Sequence, residues 1–285
     1  MPVELSVVIP VRNRPGAAVV AIQSVLADAG THALEVIVVD DGSTDDTGDR
    51  ALSIGDSRVR VVRQEAAGVS AARNNGVRHA RARFVAFLDS DDQVLPGWVT
   101  TMVAAGESGL DAFSCADVER YVDGHEHVIA PADLGPAFGG LQGRFQAGAF
   151  GLSTKAFWEA GGFVEGLRHG ESTTLWMSLG RVHSTRPLRV GSTAQPLVVV
   201  YRRPRLYDAA LYHESGRTTL EAVGDMLRRD RRALANHLSV TGVAAARLGR
   251  RSEAIGLLAR AVRANPVDWR HLGRLGAAMA GWRGR

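Results

Sequence analysis

Three carboxylates, Asp89, Asp91 and Asp92, stand within four residues at the end of an apolar run, Phe84-Val85-Ala86-Phe87-Leu88. Like charges this close repel, and a hard divalent cation, itself held by the phosphates of a ligand, would relieve them. A buried strand that stops at carboxylates delivers them to the C-terminal edge of a sheet, where open α/β folds place ligands. The competing reading is an acidic turn that caps the next helix, a position Asp favours. Two further apolar runs end in polar clusters: LSVVIP at 5–10 leads into Val11-Arg12-Asn13-Arg14, and EVIVV at 35–39 into Asp40-Asp41-Gly42-Ser43-Thr44-Asp45. In a parallel sheet these ends lie side by side. Arg73 and Asn74 follow Gly68 by roughly one helical turn and are expected to aim a charge and an amide at the same edge.

The elements that must position these groups are short strands alternating with helices. Strands are expected near 5–10, 35–39, 58–62 and 84–88, with helices near 16–29, 69–81 and 97–107. Such alternation means βαβ units and a mostly parallel sheet. Beyond residue 110 the pattern changes to a hairpin about Asp123-Gly124, an irregular Gly- and Pro-rich stretch at 131–148, a strand at 149–153 and a short helix at 154–159. A helix at 172–181 and a strand at 197–201 follow, and 202–213 reads as a mobile lid. From Arg217 the chain reads as helical to its end. Leu248-Gly249, Ala254, Ala261 and Pro266 have the spacing of a single tetratricopeptide-like helix pair.

The 285 residues have room for a substantial core, and the composition, 45% hydrophobic and 22% charged, is that of a soluble globular protein. No apolar run reaches the roughly 18 residues of a membrane span, and the sequence opens straight into a strand, so a cytoplasmic protein is expected. Cys115, the only cysteine, sits in apolar company and reads as core. Residues 217–285 carry 14 Arg against 5 acids, whereas 1–216 carry 20 basic residues against 25 acids. The tail arginines fall between apolar positions, as on solvated helix faces, so nucleic acid is not an expected partner. Peripheral contact with an anionic membrane, or self-association through the tail, is the expectation that remains. The nine histidines show no metal-ligand spacing, which argues against zinc.

VVIPVRN, EVIVVDDGSTDDT, GVSAARNNG and FVAFLDSDD resemble, in order and spacing over residues 5–98, the signature of family 2 inverting glycosyltransferases of the GT-A fold; GGFVEGLRHGE at 161–171 is similar to that family's acceptor-side motif. The resemblance implies an α/β, Rossmann-like, mostly parallel sheet flanked by helices, with an all-α C-terminal appendage. With the helical pattern of the tail, the expected division is a glycosyltransferase domain at 1–216, with a nucleotide-binding half (1–110) and an acceptor half (111–216), and a helical tail at 217–285. The resemblance implies donor binding by Pro10, Arg12, Asn13, Asp40, Asp41, Arg73, Asp89 and Ser90, with Asp41 reading the nucleotide base. It also implies Mn²⁺ or Mg²⁺ on Asp89 and Asp91. Trp98, Trp158 and Trp176 read as core, with Trp176 the one that would stack on an acceptor.

Two positions depart from the family pattern. Arg12 replaces a frequent aromatic, and a guanidinium also stacks on a base. Ser172 stands where the family has its catalytic aspartate, and serine is no base at neutral pH. The base then falls to Glu171 or His169, with Asp208 and Glu214 as further options. The expected function is metal-dependent, inverting transfer from a UDP- or dTDP-sugar to an acceptor hydroxyl. The alternative is a catalytically impaired sugar-nucleotide-binding or scaffold protein. A nucleotidyltransferase would need a glycine-rich phosphate loop near the first strand, which is missing.

Overall fold

The structure, a computed structural model, describes residues 2–204 and 206–281. Four strands, β1 (Leu5–Val11), β2 (Leu34–Asp41), β3 (Val59–Gln64) and β4 (Phe84–Phe87), alternate with α1 (Pro15–Asp28), α2 (Thr47–Leu52) and α3 (Val69–His79). They pair in parallel in the order β3-β2-β1-β4. A short β5 (Gln93–Val94) and α4 (Trp98–Glu107) follow. β6 (Ala112–Tyr121) and β7 (Glu126–Ile129) form the expected hairpin. Inside the 131–148 stretch, β8 (Ala132–Asp133) and β9 (Gln142–Gly143) make a small ladder around a 3₁₀ turn at Pro136–Phe138. β10 (Phe150–Ser153), α5 (Thr154–Glu159), α6 (Glu171–His183) and β11 (Val190–Arg202) complete the α/β part.

β10 enters the sheet antiparallel, between β4 and β6, and β11 then pairs parallel to β6. The sheet is therefore parallel through its first half and mixed beyond, an α/β sheet of GT-A type. Alternate residues of β1 serve two cores: Leu5, Val7 and Ile9 face α1, α2 and α4, while Val8 joins Phe87 and residues of α3, α5 and α6 on the other face. This is the period of two that a pleated strand imposes.

Four helices end the described chain: α7 (Ala209–Leu227), α8 (Arg231–Arg247), α9 (Arg251–Ala264) and α10 (Trp269–Met279). α8 and α9 bury Leu238, Ala245, Ala254 and Ala261 against one another. Two expectations are corrected here. The 202–213 stretch is not all lid, because α7 starts at Ala209 with Asp208 as its cap, accepting from the Leu211 N–H. Tyr207 stacks on Tyr212 at 4.9 Å with the Arg247 guanidinium over its other face. Trp158 is 41% exposed, with Arg78 over its ring, whereas Trp98 and Trp176 are fully buried. The expectation of helix to the very end concerns 282–285, which lie outside the described residues.

Candidate active site

A cavity of about 370 Å³ opens where β1, β2 and β4 end. Pro10 and Arg12 line it from β1 and its turn, Asp41 from β2, and Asp89, Ser90 and Asp91 from the turn after β4. Arg73 closes one side from α3, with Glu171, the first residue of α6, directly beside it. Residues 98 apart in sequence thus meet because α6 aims its N-terminus at the C-terminal edge of the sheet.

Arg73 is the centre of this arrangement. Its guanidinium is 2% exposed, donates through Nη2 to Asp89 Oδ1 at 2.5 Å and through Nη1 to Glu171 Oε1 at 3.2 Å, and lies 5.1 Å over the Phe163 ring. Burial works against its charge, but the two carboxylates outweigh it and raise its pKa. Neighbouring Asn74 does not reach the cleft as expected: its amide is bonded to the Phe163 backbone and to Glu165, fixing the 161–165 turn. Gly68, at φ +93°, lets the backbone fold onto Asp41, which accepts from the Ala67 and Gly68 N–H groups and from Gln64. A side chain at Gly68 would be strained at that φ.

Several expected residues stand apart from the cavity. Asp40 turns to the other face of β2 and accepts from the Ser43 N–H. Asn13, the single described non-glycine residue at positive φ (51°), accepts from the Thr44 N–H and braces two turns. His169 lies against Tyr212 (4.8 Å between rings) and faces a neighbouring hollow. Trp176 is corrected outright: it is fully buried, edge-on to Phe150 and directly beneath Gly143, and offers no surface to an acceptor. Asp208 caps α7 and Glu214 is exposed on it; neither lines the cavity.

Two arginines were missed. Arg14 lines the cavity and pairs with Asp91 at 2.5 Å, and Arg168 lines it from the loop before α6. Arg14 directly follows VVIPVRN and Arg168 sits inside GGFVEGLRHGE, and charge alone does not distinguish a cavity arginine from a solvated one. Asp92 is 3% exposed and accepts from the Tyr201 N–H, tying the acidic turn to β11. Burial and the charge of Asp89 push its pKa up to about 8, partly offset by that hydrogen bond.

Asp89 and Asp91 each engage an arginine through one carboxylate oxygen, Oδ1 and Oδ2 respectively. Among the described residues no group of three or more His, Cys, Asp or Glu could hold a metal ion unaided. Two hard carboxylates in a cavity that also holds arginines for a diphosphate fit a cation whose remaining ligands come from phosphate oxygens, the usual mode for Mg²⁺.

Residues 6–145 match the sequence model of the Glycosyl transferase family 2. An uncharacterised glycosyltransferase of Rickettsia felis is 30% identical over 188 residues, covering 64% of this chain and 31% of that protein. The UDP-Glc:alpha-D-GlcNAc-diphosphoundecaprenol beta-1,3-glucosyltransferase WfaP of Escherichia coli is 36% identical over 101 residues, covering 35% of this chain and 38% of that protein. The chain spans about a third of the length of these curated relatives. Among solved structures, residues 1–349 of S. aureus TarS in complex with UDP-GlcNAc superpose with a TM-score of 0.66 at 18% identity, covering 98% of this chain and 88% of that one. The acidic strand ends, the motif order and the fold all agree with the match of residues 6–145 to Glycosyl transferase family 2.

Proposed function

We propose that the protein transfers a sugar, with inversion, from a nucleoside diphosphate sugar to an acceptor hydroxyl. The observation that carries this reading is the convergence of Asp41, Arg73, Asp89, Asp91 and Glu171 on one hollow. UDP is the favoured nucleotide, in line with the names of WfaP and of the TarS complex. An ionised carboxylate has about four acceptor sites, and Asp41 uses three: two on Oδ1 and one on Oδ2. The remaining site suits an imide N–H of uracil, and a base lacking that donor would leave it unpaired.

Arg14 and Arg168 then face the diphosphate, where forked guanidinium donors match phosphate oxygens. Asp89 and Asp91 would hold Mn²⁺ or Mg²⁺ jointly with the diphosphate, and such a cation offsets the charge that builds on the leaving group. Glu171 is the base of choice because it is the one lining carboxylate that comes from α6 rather than from a strand end. As the acceptor oxygen attacks the anomeric carbon, Glu171 takes its proton. The carbon–oxygen bond to the diphosphate breaks on the opposite side, and its electron pair leaves with the phosphate. Arg73, bonded to Glu171, keeps that carboxylate oriented until the proton arrives.

Calorimetric titration with UDP and Mn²⁺ tests the donor site. The expected result is metal-dependent binding that Asp91→Asn weakens tenfold or more; unchanged affinity and metal dependence in that variant would remove the assignment. Release of UDP from UDP-sugars tests catalysis. Binding without turnover, indifferent to Glu171→Gln, would instead favour the scaffold reading that Ser172 raises.

A further inference from the structure

A second cavity, of about 400 Å³, lies between α6, α7 and α8. Its walls are Met177 on α6, Tyr212 and Thr219 on α7, and Val240 and Thr241 on α8, closed at one end by Leu227. No Asp, Glu, Lys or Arg lines it among the described residues, whereas the donor cavity is lined by eight such side chains. His237, which also faces it, is bonded to the Gly216 carbonyl at 2.8 Å. Burial pulls the His237 pKa down, against that hydrogen bond, so the imidazole stays neutral near pH 7. Tyr212 already has Tyr207 on one side and His169 against it.

The two cavities share a wall. Arg168 and Glu171 line the charged one, while His169 and Gly170, the residues between them, line the neutral one. The 168–171 segment is therefore common to the walls of both cavities. Gly170 carries no side chain and, at φ +80°, is a position where one would be strained.

We propose that this cavity seats the apolar portion of the acceptor, leaving its hydroxyl to reach the donor past Gly170. The assignment rests on the donor site proposed above. A sugar or phosphate acceptor needs dense donors and acceptors or charge, and these walls offer mainly methyl and methylene surface. Cavities of this size, apolar with a few polar groups, hold drug-sized molecules. The chemistry is common to a rigid aryl aglycone and to the start of an alkyl chain.

The test uses 2-naphthol, 1-octanol and methyl glucoside as probes of the full chain. Expected is measurable binding of naphthol or octanol, weakened tenfold or more by Val240→Trp, which places bulk at a position 44% exposed. Thr173→Trp, on the α6 wall, is a second variant in case the first fails to fold. Preference for naphthol identifies an aryl acceptor, and preference for octanol an alkyl one. Methyl glucoside binding with the same sensitivity to these variants, while naphthol and octanol do not bind, overturns the proposal. So does binding of all probes that both folded variants leave intact. Naphthol or octanol binding that leaves UDP release from UDP-glucose and UDP-N-acetylglucosamine unaltered overturns the acceptor role. UDP is titrated separately: its failure to bind sinks the donor reading and with it the acceptor role, whereas UDP binding without naphthol or octanol binding sinks the cavity assignment alone.

Discussion

Arg73 bridges Asp89 and Glu171, one carboxylate from the donor side and one from the acceptor side. A lysine there supplies a single ammonium without the planar fork, so it can hold one partner well but not both. Arg73→Lys is expected to cut UDP release by roughly two orders of magnitude, within the range for losing a positioned acid–base partner. UDP affinity should fall less; a variant with wild-type turnover would show that the bridge is dispensable. Glu171→Gln should lower turnover by about 10²–10⁴ while UDP titrations remain close to wild type. Sequence alone identified Asp41, Asp89, Asp91 and Arg73 because acidic residues at strand ends and an arginine after a glycine form an ordered pattern. It gave base reading to Asp41 but kept Asp40 in the donor site beside it. Neighbours on a strand point to opposite faces, and which of the two meets the cavity depends on the register of β2, set by its pairing with β1.

At the scale of elements, α6 carries the most. Its residue Glu171 enters the donor cavity, Met177 lines the second one, and Gly180 packs so closely that an added Cβ would land on the Phe138 backbone. Gly180→Ala is expected to destabilise the fold by about 3 kcal/mol, as overpacking does, measurable as a lower urea midpoint with an unchanged slope. The start of β6 is tied to α5 and to the loop after α6 by Arg186, which bonds both Asp111 and Glu159. Burial would raise the pKa of Asp111, but the Arg186 side chain and the Arg189 N–H outweigh it and hold the group below its usual range. A depressed carboxylate stabilises the fold above its unfolded pKa, about 3.9, and that contribution disappears as pH falls through the lower folded value. Wild-type stability should therefore drop more steeply between pH 5 and pH 3 (roughly that window) than that of Asp111→Asn; parallel curves would show that the pair contributes nothing. Helical spacing correctly put Leu175, Trp176 and Leu179 on one face of α6, yet spacing does not say whether a face meets a core or a ligand. Here it meets Phe150. The start of α7 was missed because 202–208 is irregular and the helix signal is one aspartate cap.

On the scale of the whole molecule, the early βαβ half was legible because each strand is a compact apolar run. In the later half the elements were legible but their pairing was not, because β10 pairs against strands distant in sequence, and the polar start of β11 (Gly191 to Gln195) hid half of that strand. No helix among the described residues is long and apolar enough to cross a membrane. Arg217, where the tail was expected to begin, falls inside α7, which starts at Ala209 and kinks at Val223. Gly216 of the same helix abuts Thr241 of α8 so tightly that a Cβ would overlap its hydroxyl. A chain ending at residue 216 would cut α7 in mid-course and uncover Leu179, Met177 and Phe138, which pack with Met226 and Leu227. It is expected to be insoluble or to lose a cooperative thermal transition. Recovery of a sharp transition with intact UDP binding would show that the α/β part stands alone.

The chain of contacts running from Arg247 through the stacked Tyr207 and Tyr212 to the tilted ring of His169 has a mechanical corollary. Four flat groups in series link the far end of α8 to the loop that leads into Glu171, so tilting the tail helices would turn the ring of His169 and shift the rim between the two hollows. Whatever grips the tail would then hold a lever on the site.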